Sequence, residues 1–191
     1  MITTQSQWLE ADWIQTYSGL RFYPARPTPE MITIGDIAQA LSLEPRFAGQ
    51  SLFHYSVAQH SILVSLHCDP ADALWGLLHD ASEAYLKDIP RPIKRMLPGY
   101  KRLERRVQRV IAKRFGLPWP CPESVHVADT RILVNERRDV MGPLQGRTSL
   151  RRGDLPPLPG VAIAPNSDHC FVRGNFLNRF RELVAQGNDN G

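Results

Sequence analysis

Three cysteines are few for a chain of 191 residues, and Cys68, Cys121 and Cys170 are odd in number and far apart. No CxxC pair occurs, so neither a disulfide framework nor a structural zinc knuckle is expected, and each thiol is read as buried or half-buried. Also missing is any run of about 20 apolar residues, which excludes a membrane-spanning helix. The N-terminus, MITTQSQWLEADW, has neither a basic start nor an apolar stretch, so no secretory signal is expected and the cytoplasm is the default location. There is no internal repeat. Acidic residues are scarce in one place: from Lys87 to Arg114, eleven Lys or Arg residues stand against only Asp88 and Glu104. Such a stretch suits a phosphate-bearing small molecule, nucleic acid or plain solvent exposure. Aromatics do not alternate with these charges through the helical part, which argues against a nucleic-acid stacking platform.

What remains is a composition of 42% hydrophobic and 22% charged residues with a net charge of +4, ordinary for one globular domain spanning 1–191. The apolar spacing predicts an all-α protein. Residues 1–32 read as an irregular arm, with a short strand at GLRFY before the Pro-rich YPARPTPE. A first helix begins after Thr33, an N-cap with Asp36 three residues on. A second runs from Ser56 to His67 and is apolar on most of its surface, hence central, with His60 turned inward. A third is capped by Asp69, has Pro70 in its first turn and a capping box closed by Asp72, and continues through ALWGLLHDASEA until Ile89-Pro90 stops it. On it Trp75, His79 and Glu83 share one face at i, i+4 and i+8. A fourth spans 98–115 with Gly116 as C-cap, a fifth spans 123–141, and a last short one spans 175–185. Residues 142–168 are rich in Gly and Pro and read as a long excursion, a lid or a subunit contact.

Four residues stand out chemically. His60 and Asp129 sit among apolar residues, where an unpaired ionisable group is costly, and His79 and Asp80 are adjacent. Together they make a mixed His/Asp set suited to Mn²⁺, Co²⁺, Fe²⁺ or Zn²⁺. Taken singly the signals are weak, since an inward histidine is as a rule a hydrogen-bonded core residue and an HD dipeptide occurs by chance. Spacing alone leaves the site undecided.

The ordered pattern His60…His79-Asp80…Asp129 resembles that of the HD-domain metal-dependent phosphohydrolases. YSVAQHS around His60 and HDASEAYLKDIPRPIK after the pair are similar to segments of the bacterial 5′-deoxynucleotidases and of phage deoxyadenosine triphosphate hydrolases. The resemblance covers about residues 33–141. It implies an HD-domain helical bundle, one or two divalent metal ions held by His60, His79, Asp80 and Asp129, and attack of metal-bound water on a phosphoryl group. By the same resemblance, Glu83 orients or deprotonates that water and Asp88 lies near the scissile phosphate and sugar. Arg46 contacts phosphate and Phe47 crowds the sugar. From their place just beyond Asp88, and apart from the resemblance, Arg91 and Lys94 either add to phosphate attraction or are plain surface charges. Where the family carries Trp and Glu, this chain has Phe47 and Gln59, changes that bear on sugar preference more than on metal chemistry.

The expected activity is removal of the 5′-phosphate from a (deoxy)nucleoside monophosphate, by an enzyme that associates with copies of itself. The alternatives are a deoxynucleoside triphosphate triphosphohydrolase and, from another class, a nucleic-acid-binding or structural protein using the 87–114 surface.

Overall fold

A computed structural model of the chain describes residues 12–145 and 155–189. It is built almost wholly of helices, as the apolar spacing predicts. These are α1 (Ile34–Leu43), α2 (Val57–His67), α3 (Ala73–Leu78), α4 (Glu83–Leu86), α5 (Arg91–Lys94), α6 (Tyr100–Arg114), α7 (Glu123–Asp139) and α8 (His169–Asp189). A two-stranded antiparallel ribbon precedes them, pairing β1 (Ile14–Gln15) with β2 (Arg21–Phe22), the latter within the predicted GLRFY strand. Among the described residues no helix is long and apolar enough to cross a membrane.

The centre of the bundle is α2, which packs against α1, α3, α7 and α8. Ser56 starts it: its hydroxyl accepts from the Gln59 N–H at 3.3 Å while the Gln59 side chain accepts from the Ser56 N–H at 2.9 Å. This capping box satisfies two donors at the helix start. It also gives Gln59 a structural task one residue before His60, its amide turned toward the cap and the Asn166 carbonyl rather than toward His79 or Asp80. Thr33 caps α1 as expected, but the Asp36 carboxylate does not turn back to it. It accepts from the N–H and hydroxyl of Ser18 in the β1–β2 turn, tying the arm to the body.

Two fully buried clusters form the core. One joins Phe22, Ile37, Leu41, Val57, Leu77, Ile111 and Phe176, and the other joins Val64, Trp75, Val125 and Ile132. The close approach of α2 and α3 rests on Gly76, where a Cβ would lie 2.8 Å from Cys68 Sγ and 2.9 Å from Ser65 Cα. That approach sets the separation of His60 from His79.

Four expectations need correction. Asp69 makes no capping bond; Pro70–Asp72 form a 3₁₀ turn, and Asp72 accepts from the Ser124 hydroxyl instead. The helix after it ends at Leu86, before the prolines take effect, because Lys87 adopts φ 76° and its ammonium pairs with Glu44. The last helix starts at His169, earlier than predicted, because Asp168 Oδ1 accepts from the N–H groups of Cys170 and Phe171. Cys170 is exposed on that first turn, while Cys68 and Cys121 are half-buried.

The excursion 142–168 lies partly outside the described residues. Its 155–168 part is fixed to the bundle: the buried Asn135 amide donates to the carbonyls of Leu158 and Val161 and accepts from the Leu158 N–H. Leu158 and Val161 thereby complete the second cluster.

Candidate metal centre and its pocket

The straight helix expected through ALWGLLHDASEA is broken at the chemically important residues. Between α3 and α4, residues 79–82 form turns closed by i→i+3 bonds, from the N–H of Ala81 to Leu78 O and from that of Glu83 to Asp80 O. The cause is Gln108 of α6. Its buried side-chain amide accepts from the Ser82 N–H at 3.1 Å and donates to Leu78 O at 2.6 Å, standing where those two groups would otherwise have bonded each other. A side chain inserted into the helical ladder is a recognised cause of a kink. In the tightened turn, side chains three residues apart eclipse, so Glu83 comes to stand over Asp80. The i, i+4, i+8 face proposed for Trp75, His79 and Glu83 is replaced by this geometry.

Replacing Gln108 with Leu is therefore expected to leave the buried Ser82 N–H unpaired, while Leu78 O keeps the bond from the Ala81 N–H. The cost is about 1–3 kcal/mol, and Glu83 loses its alignment over Asp80. Urea denaturation checks this; a variant as stable as the parent contradicts the account of the break.

His60, His79 and Asp80 form a group that could hold a metal ion, with one donor atom of each lying within 4.8 Å of the others. His60 Nε2 lies 3.3 Å from His79 Nε2 and 3.7 Å from Asp80 Oδ2, and His79 Nε2 lies 3.2 Å from the same carboxylate oxygen. Asp129 approaches from α7 with Oδ1 3.1 Å from His60 Nε2, so it joins the cluster through His60. His60 is wholly buried, while Asp80 and Asp129 keep 24% and 28% of their side-chain surface open on the pocket side.

The remaining ring nitrogens decide the chemistry. His60 Nδ1 donates to Glu136 Oε1 at 2.7 Å and His79 Nδ1 donates to Gly76 O at 2.8 Å. A carboxylate and a carbonyl can only accept, so both neutral rings carry their proton on Nδ1 and aim bare Nε2 lone pairs at each other. Two lone pairs at that distance call for a cation between them. Burial and Arg46 lower the His60 pKa, but Glu136 and Asp129 outweigh them and push it up to about 9. A proton fills this role at neutral pH, and a divalent ion would release it. Burial raises both carboxylic acids, yet His79 holds Asp80 well below the usual range and the bond with His60 brings Asp129 down to about 2. The donor set thus fits a divalent metal.

A pocket of about 320 Å³ opens beside this group, lined by Arg46, Phe47, Asp80, Glu83, Asp88, Arg91, Lys94 and Asp129 among others. All the site residues expected from sequence other than the two histidines therefore meet on one wall or another. Arg46 is held by an antiparallel bridge, its N–H donating to Tyr55 O, and its guanidinium reaches Glu136 at 3.0 Å and Asp80 at 3.6 Å. It is thus both an internal ion-pair partner and a pocket residue. Its Nε has no partner among the described residues. Phe47 and Ala48 follow at φ 57° and 52°, in the left-handed region that side chains disfavour, and the Phe47 ring comes to lie 5.4 Å from the Arg46 guanidinium. Strain of this kind costs about 1–3 kcal/mol per residue and is concentrated at ligand sites.

Glu83 is 5% exposed; Oε1 accepts from Lys94 at 3.3 Å, and Oε2 is buried without a partner among the described residues. Burial, reinforced by Asp80 and Asp88, pushes its pKa well above the usual carboxylic range. Asp88 is raised for the same first reason. His79 is fixed by Gly76 and not by Glu83, which leaves Glu83 directed at the pocket.

Two residues without a site role in the sequence reading matter here: Gln108 and Glu136. The basic 87–114 stretch proves heterogeneous. Lys87 and Lys94 pair with glutamates, Arg106 and Arg114 donate to the carbonyls of Ala25 and Ile32, and Arg109 stacks on Trp119. A second trio, Asp168, His169 and Cys170, is exposed and consecutive, and its carboxylate is already engaged in capping α8.

No protein-family profile matches the chain. It is 45% identical over 178 residues to YfdR of Escherichia coli K12, covering 90% of this chain and 95% of that protein. This chain belongs to the YfdR family. A Rhodobacter capsulatus protein is 37% identical over 144 residues, which cover 68% of this chain and 74% of that one. YfdR and the Rhodobacter protein are both named only as uncharacterized, so the YfdR family adds extent and kinship but no activity.

Proposed function

We propose that this protein is an HD-type metal-dependent phosphohydrolase that removes the 5′-phosphate from nucleoside monophosphates, with deoxynucleotides as the first candidates. The observation that carries the reading is the approach of His60 Nε2 to His79 Nε2 at 3.3 Å, flanked by Asp80 and Asp129, at the side of a pocket lined by Arg46, Arg91 and Lys94 together with carboxylates. Phosphate esters resist hydrolysis because water must attack an anion. A divalent ion held by His60, His79, Asp80 and Asp129 would lower the pKa of water and neutralise developing charge. The chain's own groups do the rest. Arg46, Arg91 and Lys94 draw in and orient the phosphate, Arg46 offering a planar donor fork and an unpartnered Nε. Glu83, with one buried oxygen without a partner among the described residues, takes the proton of the attacking water, and Asp88 in its acid form gives a proton to the leaving sugar oxygen as the P–O bond breaks.

The cavity of about 320 Å³ falls within the range of small-molecule pockets, about 300 to 1,000 Å³, which supports a nucleotide-sized substrate. A screen of nucleoside mono-, di- and triphosphates against Mn²⁺, Co²⁺, Fe²⁺ and Zn²⁺ tests the assignment. Inorganic phosphate is expected from monophosphates. Triphosphate released from a nucleoside triphosphate moves the substrate to the longer chain, and no product with any metal refutes the activity.

A further inference from the structure

We propose that Glu136 is a positioning residue of this centre, holding the metal-facing His60 by one carboxylate oxygen and the phosphate-facing Arg46 by the other. It stands on α7 seven residues beyond Asp129, two helical turns along the same face, and is fully buried. Oε1 accepts from His60 Nδ1 at 2.7 Å and Oε2 accepts from Arg46 Nη2 at 3.0 Å. The first bond fixes the ring so that Nε2 faces His79 and Asp129. The second holds the guanidinium in the pocket wall, where Nη1 lies 3.6 Å from Asp80. A single carboxylate thereby sets the distance between a metal ligand and a substrate contact. Carboxylates behind a metal-bound histidine orient the ring and raise its basicity, and their loss costs about 10–100-fold in metal affinity.

The competing role is structural: a buried ion triad joining α7, α2 and the Arg46 turn, whose loss lowers stability alone. Glu136→Gln separates the two. An amide presents one oxygen and one NH₂, so in either orientation one of its two donor partners faces another donor.

The inference rests on the proposed function only in taking this cluster for a metal centre, and its two metal-binding readouts, affinity and the Co²⁺ spectrum, need no hydrolysis. The full chain, stripped of metal and titrated with Mn²⁺ by calorimetry, is expected to show a Kd raised about 10–100-fold in Glu136→Gln. The visible spectrum of the Co²⁺-loaded protein is expected to shift as His60 loses its orientation. At saturating metal, KM for a nucleoside monophosphate is expected to rise as Arg46 is released.

A folded variant with the parental Kd and Co²⁺ spectrum overturns the proposal while leaving the enzymatic reading intact. A weakened Kd in a protein that hydrolyses no nucleotide leaves Glu136 in place and removes the activity. A parent that takes up no metal overturns both. Should the variant not fold, ¹⁵N NMR of the Zn²⁺-loaded parent reads the same bond directly. A protonated His60 Nδ1 with Nε2 on the metal supports it, and a bare Nδ1 overturns it.

Discussion

Asp80→Ala is expected to lose bound metal and hydrolysis together, by more than the roughly 100-fold that losing an outer partner of a ligand costs. Asp80 Oδ2 is the oxygen closest to His79 Nε2 and also faces His60 and Arg46, so its removal takes away the charge on which three side chains converge. The backbone tolerates the change, because residues 79–82 are held by Gln108 and by main-chain bonds rather than by the Asp80 side chain. The metal-free variant is nevertheless expected to be less stable than the metal-free parent at neutral pH. Its neighbours depress the Asp80 pKa, so the carboxylate stabilises the fold above its unfolded value of about 3.9, and this contribution fades as pH falls through the folded value. The stability gap should therefore narrow only in acid. Elemental analysis, phosphate release and denaturation of both proteins check each part. Parental metal content in the variant removes Asp80 from the ligand set.

The features legible in the sequence were those set by local chemistry. Thr33 before an apolar stripe, Gly116 after one, and the continuous apolar surface of α2 each depend on residues a few positions apart, and the helices fall where these features place them. His60 and Asp129 could be picked out because an ionisable group on an apolar face has to find a partner. The partner itself lay beyond reach. Glu136 shares a helix face with Asp129 and Ile132, but it is 76 residues from His60, and nothing local to it names the two side chains it pairs with. Gln108 is hidden in the same way: its amide enters a ladder 26 to 30 residues away, and the strong apolar spacing of α3 disguises the break it causes. Local preference favours an unbroken helix there, and a tertiary contact overrides it. The Asp168 cap is a different case, a local signal present in the sequence and outweighed by the clearer apolar spacing from Phe176 onward.

Catalysis and metal binding come apart at Glu83. Glu83→Gln keeps the size and the bond that Oε1 accepts from Lys94, but removes the basic carboxylate whose second oxygen lies buried and unpartnered among the described residues. An acceptor left unsatisfied in the interior carries a cost of about 1–3 kcal/mol, which substrate or water entering the pocket would relieve. The direction of its pKa suits the task, since burial together with Asp80 and Asp88 raises it and makes the carboxylate a stronger base. Turnover is expected to fall about 10²–10⁴-fold, the usual contribution of a general base, while metal occupancy stays near the parental level. The alternative, that Glu83 serves by fixing His79, has lost its geometric basis because His79 Nδ1 donates to Gly76 O. It still makes a distinct prediction: weaker metal binding, with activity restored by excess metal. Titrating Mn²⁺ into Glu83→Gln while following phosphate release distinguishes the two. Activity that climbs back to the parental rate at saturating metal would sink the assignment of Glu83 as base and move that role to Asp88, the other pocket carboxyl raised by burial.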